Sequence, residues 1–388
     1  MPCWDPVNAT ASTSLYFAVV SPGLESLLAT ELQEFGLMPR ARRGGVEWRG
    51  TPESLWLVHH RSRLAEGVRA RLKSFQATNF PALEQGLERL PWHAYLRAGA
   101  PVRISVTARK SRLFHTGAIE EHARRAIAAR LGACPVPSQS EDASEIHLRL
   151  ERDEVQPSVE TSGERLHRRG YRTHVGPAPL RETLAAAAAR LLDDASPERA
   201  EAPVWDPCCG SGTLLMEWLL RRQAGPLSGD RHFAFERWPI HDAAAYAIWK
   251  ARQRDASGTA RLGRALGSDR DSRVLGAARR NAERAGVQAA CTWLEGDFKD
   301  VARLVPEGQR VLTNLPYGKR LAAGKAQSSA FADLDGLLGA RPDLRPALVL
   351  TTAPLPRKAR CEWQTVARFA NGGIRVTAWL SPAPGSRR

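Results

Sequence analysis

The chain has too few cysteines, too widely scattered, to be held by disulfides: six in 388 residues. Cys3, Cys134, Cys291 and Cys361 stand alone and Cys208 and Cys209 are adjacent, so no spacing reads as a bridge framework. Neither a Cys-x-x-Cys nor a His-x-x-x-His pair of the zinc type occurs, and the ten histidines form no pattern of ligand or base; no metal is expected. No apolar run approaches the roughly 18–20 residues needed to cross a bilayer. Met1 to Thr13 carries Asp5 and Pro6 and lacks the basic-then-apolar order of a signal peptide. A cytoplasmic protein with no membrane partner is the expectation. Internal repeats and coiled-coil heptads are missing as well.

Acid is also in short supply. The 41 Asp and Glu face 56 Lys and Arg, a net charge of +15. Such a field favours polyanions, nucleic acid first and an anionic membrane surface second, unless it serves solubility alone. With 43% hydrophobic residues the chain can bury ordinary cores, and its length suits two or three domains.

Residues 1–14 read as a leader. LYFAVV is a strand, followed by a helix whose Leu24, Leu27, Leu28, Leu32 and Phe35 recur at helical spacing between Pro22 and Gly36. GGVEWRG is a short strand and PESLWLVHHRSRL a second helix, so residues 15–70 form one small α/β unit. Residues 71–165 form another, in which VRARLKSFQA is a strand beginning just before the boundary and VRISVTARKS is a strand with Val102, Ile104 and Val106 on one face. Residues 166–200 are a basic linker, LHRRGYRTH, and an alanine-rich helix. From 201 to 380 the short apolar strands VWD, ALGSD, CTWLE, RVLTN and ALVLTT alternate with helices, which predicts a parallel doubly wound sheet. WQTVARFA-NGG-IRVTAWL closes it as an antiparallel hairpin, and 381–388 is a tail.

Four motifs carry chemistry. In VWDPCCGSGT a strand ends at Asp206 and a turn with Gly210 and Gly212 opens a helix, where absent Cβ atoms let a ligand approach the backbone. A dinucleotide site would add a third glycine, which is missing; the carboxylate suits an ammonium group, pointing to S-adenosylmethionine rather than a pyrophosphate. The alternative is an ordinary glycine-rich turn. ALGSDRD ends a strand at Asp269, placed for a ribose diol, with Asp271 a helix-cap candidate; both can also be plain caps. LEGDF puts Asp297 beyond another strand, where it can accept an adenine amino group or simply form a Gly-Asp turn. RVLTNLPYGKR sets Asn314, Leu315, Pro316 and Tyr317 after a strand. An exocyclic base amine is a poor nucleophile because its lone pair is delocalised. The Asn314 side-chain oxygen and the Leu315 carbonyl can grip its two N–H bonds, Pro316 fixes the turn, and Tyr317 offers a ring for the base. In isolation such a segment also reads as a strand-ending turn.

Together these motifs resemble the class I S-adenosylmethionine-dependent methyltransferases of the THUMP-containing RNA group. More closely, they are similar to the ribosomal large-subunit RNA guanine-N2 methyltransferase L family, through APLRETLAAA, DPCCGSGT, FAFERWP, GSDRD, NLPYGKR and ARKSRLFHTG. The resemblance spans nearly the whole chain. It implies a Rossmann-like catalytic domain behind ferredoxin-like (15–70) and THUMP-like (71–165) α/β units. It further implies that Asp206, Cys208, Gly210, Ser211, Gly212, Thr213, Asp269, Asp297 and Thr183 bind the cofactor, and that 314–317 hold the target base. The family turn is usually Asn-Pro-Pro-Tyr; Leu315 replaces the first proline, which leaves the carbonyl in place but the choice of guanine or adenine open.

The THUMP-like unit implies RNA. Arg103, Arg109, Lys110 and Arg112 are expected around one strand end, and His167, Arg168, Arg169, Tyr171 and Arg172 in the linker, as phosphate contacts or a solvated face. Phe233, Phe235 and Trp238 of FAFERWP are expected to pack on the catalytic core rather than capture RNA. The resulting expectation is guanine-N2 methylation of ribosomal RNA. Transfer RNA is the alternative substrate, and an inactive RNA-binding assembly factor the alternative class. A DNA adenine methyltransferase would leave the N-terminal units unexplained.

Overall fold

The computed structural model describes residues 13–133, 136–137, 140, 143–173, 180–223, 231–255, 263–316 and 325–385. They divide into two compact units, one built from the described residues within 1–20, 28–166 and 228–254 and the other from those within 21–27, 167–227 and 255–388.

The first unit begins with β1 (Ser14–Val19), α1 (Glu25–Glu34), β2 (Arg40–Arg42), β3 (Gly45–Gly50), α2 (Pro52–Arg61) and β4 (Gly67–Arg71). It continues through β5 (Phe75–Gln76), α3 (Phe80–Glu88), β6 (Pro101–Arg109), α4 (Thr116–Leu131), β7 (Val136–Pro137), β8 (Ser144–Glu151) and β9 (Glu154–Glu160). The strands form one sheet in the order β2-β3-β1-β4-β9-β8-β6-β7, with β5 on β9. Period-two alternation sorts its faces. Val102, Ile146, Leu148, Leu150 and Val159 are buried, while Arg103, Glu145, Arg149 and their neighbours take the other face. The boundary expected near residue 70 falls inside β4, which pairs with β1 on one side and β9 on the other. The strand expected across VRARLKSFQA is interrupted, and β4 and β5 pair separately with β9. Gly132, at φ +74, ends α4.

The second unit opens with α5 (Glu182–Asp194), β10 (Val204–Asp206) and α6 (Thr213–Leu220). The chain then contributes α7 (Ala243–Asp255) to the first unit before returning as β11 (Ala265–Asp269), α8 (Ser272–Arg284), β12 (Cys291–Glu295) and α9 (Phe298–Val301). β13 (Arg310–Asn314), α10 (Lys325–Ala340), β14 (Ala347–Thr351), β15 (Gln364–Asn371) and β16 (Ile374–Ser381) complete it. The sheet order is β12-β11-β10-β13-β14-β16-β15. It is parallel through β14, and β16 runs antiparallel to both β14 and β15, the closing hairpin read from the sequence. All five residues of β14 are buried, which is why it reads as a continuous apolar run. None of the described helices is long and apolar enough to cross a membrane.

One packing expectation is corrected. Phe233 and Phe235 do not join the core of the parallel sheet; they sit in the first unit, edge-on to His59 at 4.7 and 5.1 Å. Phe235 also meets Tyr246 at 5.3 Å, and the Tyr246 hydroxyl is 2.8 Å from His60 Nε2. Trp238 meets Tyr95 edge-on at 4.8 Å. The physical reason is α2, whose two histidines and Trp56 offer an aromatic surface of matching polarity. Burial drives the His59 ring down to a pKa of about 3, so it is neutral here. Phe235→Ala should cost about 3–5 kcal/mol in denaturant unfolding. The exposed Ile240→Ala should stay within about 0.5 kcal/mol; equal, negligible effects would remove this segment from the first unit's core.

Candidate active site

The second unit's sheet has a step at its centre. β10 is only three residues long and ends at Asp206, level with Gly267 of β11. On either side the neighbours run further: β11 to Asp269, and β13 to Asn314, which lies three residues past Val311, the partner of Trp205. Asp269 and Asn314 therefore overhang Asp206 by about two residues, or roughly 7 Å of strand. The strand order also reverses here, since β11 follows β10 on one side and β13 lies on the other. Ligands of doubly wound sheets bind at such a point.

Asp206 is buried, with 1% of its surface exposed. Its Oδ1 accepts hydrogen bonds from the Thr313 hydroxyl at 2.7 Å and the Cys208 amide at 3.1 Å. These favour the ionised form, but burial outweighs them and Asp269 adds repulsion, so the carboxyl is pushed up to about 7. The glycine turn follows. Gly210 and Gly212 have φ +52 and +80. A Cβ on Gly212 would meet the Trp293 ring at 2.9 Å, whereas a Cβ on Gly210 would meet nothing within 4 Å, leaving that stretch of backbone open to a ligand. Ser211 is pinned through its carbonyl by Asn281 Nδ2 at 3.3 Å, and Thr213 opens α6. Cys208 and Cys209 have thiols raised by burial and by Asp206, which keeps them protonated and unreactive.

Asp269 spends one lone pair of each oxygen on main chain, with Gly210 N at 2.9 Å and Asp271 N at 3.1 Å, which leaves each oxygen one further acceptor site for a diol. Asp271 caps α8, and Asp297 caps α9 through the Lys299 amide at 3.0 Å while lying 3.8 Å from Arg270. Among the described residues, the buried side-chain oxygens without a hydrogen-bond partner include Asn314 Oδ1, at the end of β13, and Thr183 Oγ1. Thr183 is at the start of α5, which packs on β13 and β14. Buried polar atoms left unpaired cost free energy, and at a crevice they mark where a ligand supplies the missing bonds. Leu315 is buried in the core beside Val349 and Phe331, and its amide donates to Leu350 O at 3.0 Å, a bond that a proline there could not make. Pro316 is half-buried; Tyr317 lies outside the described residues. No group of three or more His, Cys, Asp or Glu among the described residues is arranged to hold a metal.

The expected basic contacts separate. Arg109, Lys110 and Arg112 are exposed at the end of β6. Arg103 is not with them: it lies near the start of the same strand, about 20 Å away, and reaches the Ser140 carbonyl at 3.4 Å. In the linker Arg168 is exposed, but Arg169, Tyr171 and Arg172 are turned inward. Arg169 and the Tyr171 hydroxyl both reach Glu217, at 2.9 and 2.8 Å, and Arg172 pairs with Glu182 at 3.2 Å. The physical reason is Glu217, fully buried on α6, which needs a cation and a donor. Thr313 and Glu217 escape the sequence reading, although each is the polar residue inside an apolar segment, RVLTN and TLLMEWLL. Arg169→Ala should destabilise the protein by about 3–5 kcal/mol by stranding Glu217, and Arg169→Leu with Glu217→Leu should recover most of that. Unfolding by denaturant decides it; a harmless Arg169→Ala would return this arginine to the RNA-facing set.

Comparison with known proteins gives the same architecture. Residues 16–69 match the RlmL ferredoxin-like domain and residues 169–334 the RMKL-like methyltransferase domain. A Synechocystis sp. protein provisionally named an RNA methyltransferase is 31% identical over 95% of this chain and 96% of its own. The ribosomal RNA large subunit methyltransferase K/L of Methylococcus capsulatus is 36% identical over 79% of this chain but 42% of its own length. The chain thus spans under half of the K/L proteins it matches. The crystal structure of SMU.472, provisionally named a methyltransferase and complexed with SAH, superposes with a TM-score of 0.83 at 25% identity, over 97% of this chain and 100% of that one. S-adenosylhomocysteine is the ligand of SMU.472, and the open backbone at Gly210 with the unpaired acceptor at Thr183 would fit the corresponding S-adenosylmethionine here. The chain belongs to the RMKL-like methyltransferase family.

Proposed function

We propose that the protein methylates the exocyclic N2 amine of a guanine in ribosomal RNA, in the cytoplasm. The observation that carries this reading is the orphaned Oδ1 of Asn314, a buried acceptor at the overhanging end of β13. The names of the K/L relatives support the ribosomal RNA substrate.

S-adenosylmethionine supplies an electrophilic methyl group. The chain's residues do the rest. Asp206, set back between β11 and β13, faces the ammonium end; Asp269 accepts from the ribose and Asp297 from the adenine amine. Asn314 Oδ1 and the Leu315 carbonyl accept the two N–H bonds of the target amine, turning its lone pair away from the ring. The amine nitrogen would take the methyl as its bond to the sulfonium sulfur breaks, with the neutral thioether as leaving group; no side chain has to ionise, because the surplus proton leaves to water. Rate enhancement comes from placement. Tyr317 stacks on the base, and Thr183 Oγ1, buried and unpaired near the start of α5, supplies a further polar contact.

Two outcomes test this. Asn314→Ala should abolish transfer of labelled methyl to RNA from a strain lacking the protein while cofactor affinity changes less than about threefold; an unchanged rate removes the turn from the mechanism. Cofactor affinity should depend on pH through Asp206. The free-state carboxyl is raised to about 7, and only its ionised form attracts an ammonium. Affinity should therefore fall by about tenfold per pH unit below 7 and level off above it. In calorimetry Asp206→Asn should bind weakly and lose that slope; a slope that survives the substitution assigns it to another group.

A further inference from the structure

Among the described residues every tyrosine and tryptophan and every other phenylalanine is buried or half-buried, but Phe114 is 62% exposed. A single exposed apolar side chain is ordinary on a protein surface. This one is set in a rigid and strongly cationic turn. After β6 the chain passes through Lys110 at φ +50. Ser111 Oγ donates to Arg109 O at 3.1 Å and accepts from Asp153 N at 3.0 Å. Arg112 N donates to Asp153 Oδ1 at 2.7 Å, and Arg152 N to Arg109 O at 3.2 Å. Leu113 is buried beneath the turn and His115 lies beside the Phe114 ring at 4.1 Å. The turn is fastened at both ends, so the ring is held outward rather than left over from a collapsed loop.

The turn that carries the ring exposes Arg109, Lys110 and Arg112, and Arg152 is exposed at the adjoining turn; Asp153 answers Arg112 at 3.6 Å and Glu151 lies across the strands from Arg109. α4, which begins at Thr116, has no acid in its first turn. A flat apolar surface framed by cations suits a base and its phosphates, and suits an acid-free protein surface badly. In a duplex the base faces are already stacked on one another. We infer that Phe114 is a stacking platform for an unpaired RNA base, with Arg109, Lys110 and Arg112 holding the phosphates beside it. This inference rests on the RNA reading of the protein and adds to it a residue and a strandedness.

The test is fluorescence anisotropy with the full chain and a labelled RNA of about a dozen nucleotides, single-stranded and as a blunt duplex. The wild-type protein should prefer the single strand. Phe114→Ala should weaken that binding by about ten- to hundredfold with the salt dependence unchanged, and Phe114→Trp should restore it. Lys110→Ala should instead lower the salt slope by about one. Because the ring is exposed, thermal unfolding should not move in either Phe114 variant. Phe114→Ala with wild-type affinity for the single strand overturns the platform while leaving RNA binding intact. A wild-type protein that binds neither RNA form overturns the RNA reading along with it. A Phe114→Ala variant that keeps its RNA affinity but loses self-association in sedimentation assigns the ring to a second copy of the chain, and also overturns the proposal.

Discussion

The second unit is organised around one buried carboxylate. Asp206 sits where the central strand stops short, with its oxygen held by Thr313 from β13 and by the amide of Cys208 at the start of the turn. A carboxyl in that position resists ionising, and the Asp269 charge on β11 makes it resist more. The resulting group is close to balanced at neutral pH, ready to ionise fully when a cation arrives. The same two hydrogen bonds tie the end of β10 to its neighbour and to the glycine turn. The element that would receive the ligand's charge is therefore also the one that sets the turn's geometry.

Around that point the fold supplies different chemistry on the two sides. β11 ends in Asp269, which accepts from the Gly210 and Asp271 amides, and Asp297, two residues beyond β12, caps α9; β13 ends in Asn314, whose Oδ1 has no partner among the described residues. α5, with its run of five buried alanines from Ala185 to Ala189, packs on β13 and β14. Glu217, Arg169 and Tyr171 lock the linker ahead of α5 onto α6. Positions that a charge count assigns to the surface thus hold the catalytic unit together.

How much of this was legible in the sequence depends on the range of the signal. The five parallel strands and the closing hairpin were legible, because apolar runs between glycine, proline and aspartate are local patterns. So were Asp206, the glycine turn and Asn314, because each stands at a strand end. Asp271 was legible as a cap for the same reason. Arg169 and Tyr171 turn inward to Glu217, 46 residues beyond Tyr171, and sequence distance hides such a buried acid; Arg172 turns to Glu182 on α5. Arg103 does not share the strand end expected of it with Arg109, because a strand of nine residues keeps its ends far apart. The Phe233 and Phe235 pair was assigned to the nearer core in sequence, whereas its aromatic partners came from α2, more than 170 residues earlier. In each miss a long-range contact outweighed local pattern.

The central claim is that the overhang between Asp269 and Asn314 holds S-adenosylmethionine with Asp206 toward its amino acid end. The most direct measurement is a crystal structure of the protein with S-adenosylhomocysteine. The ligand is expected across the carboxyl ends of β10, β11 and β12, its ammonium facing Asp206, its ribose hydroxyls on Asp269, and its sulfur toward Asn314. A ligand bound elsewhere, or in that crevice with its ammonium facing away from Asp206 and its sulfur remote from Asn314, would contradict it.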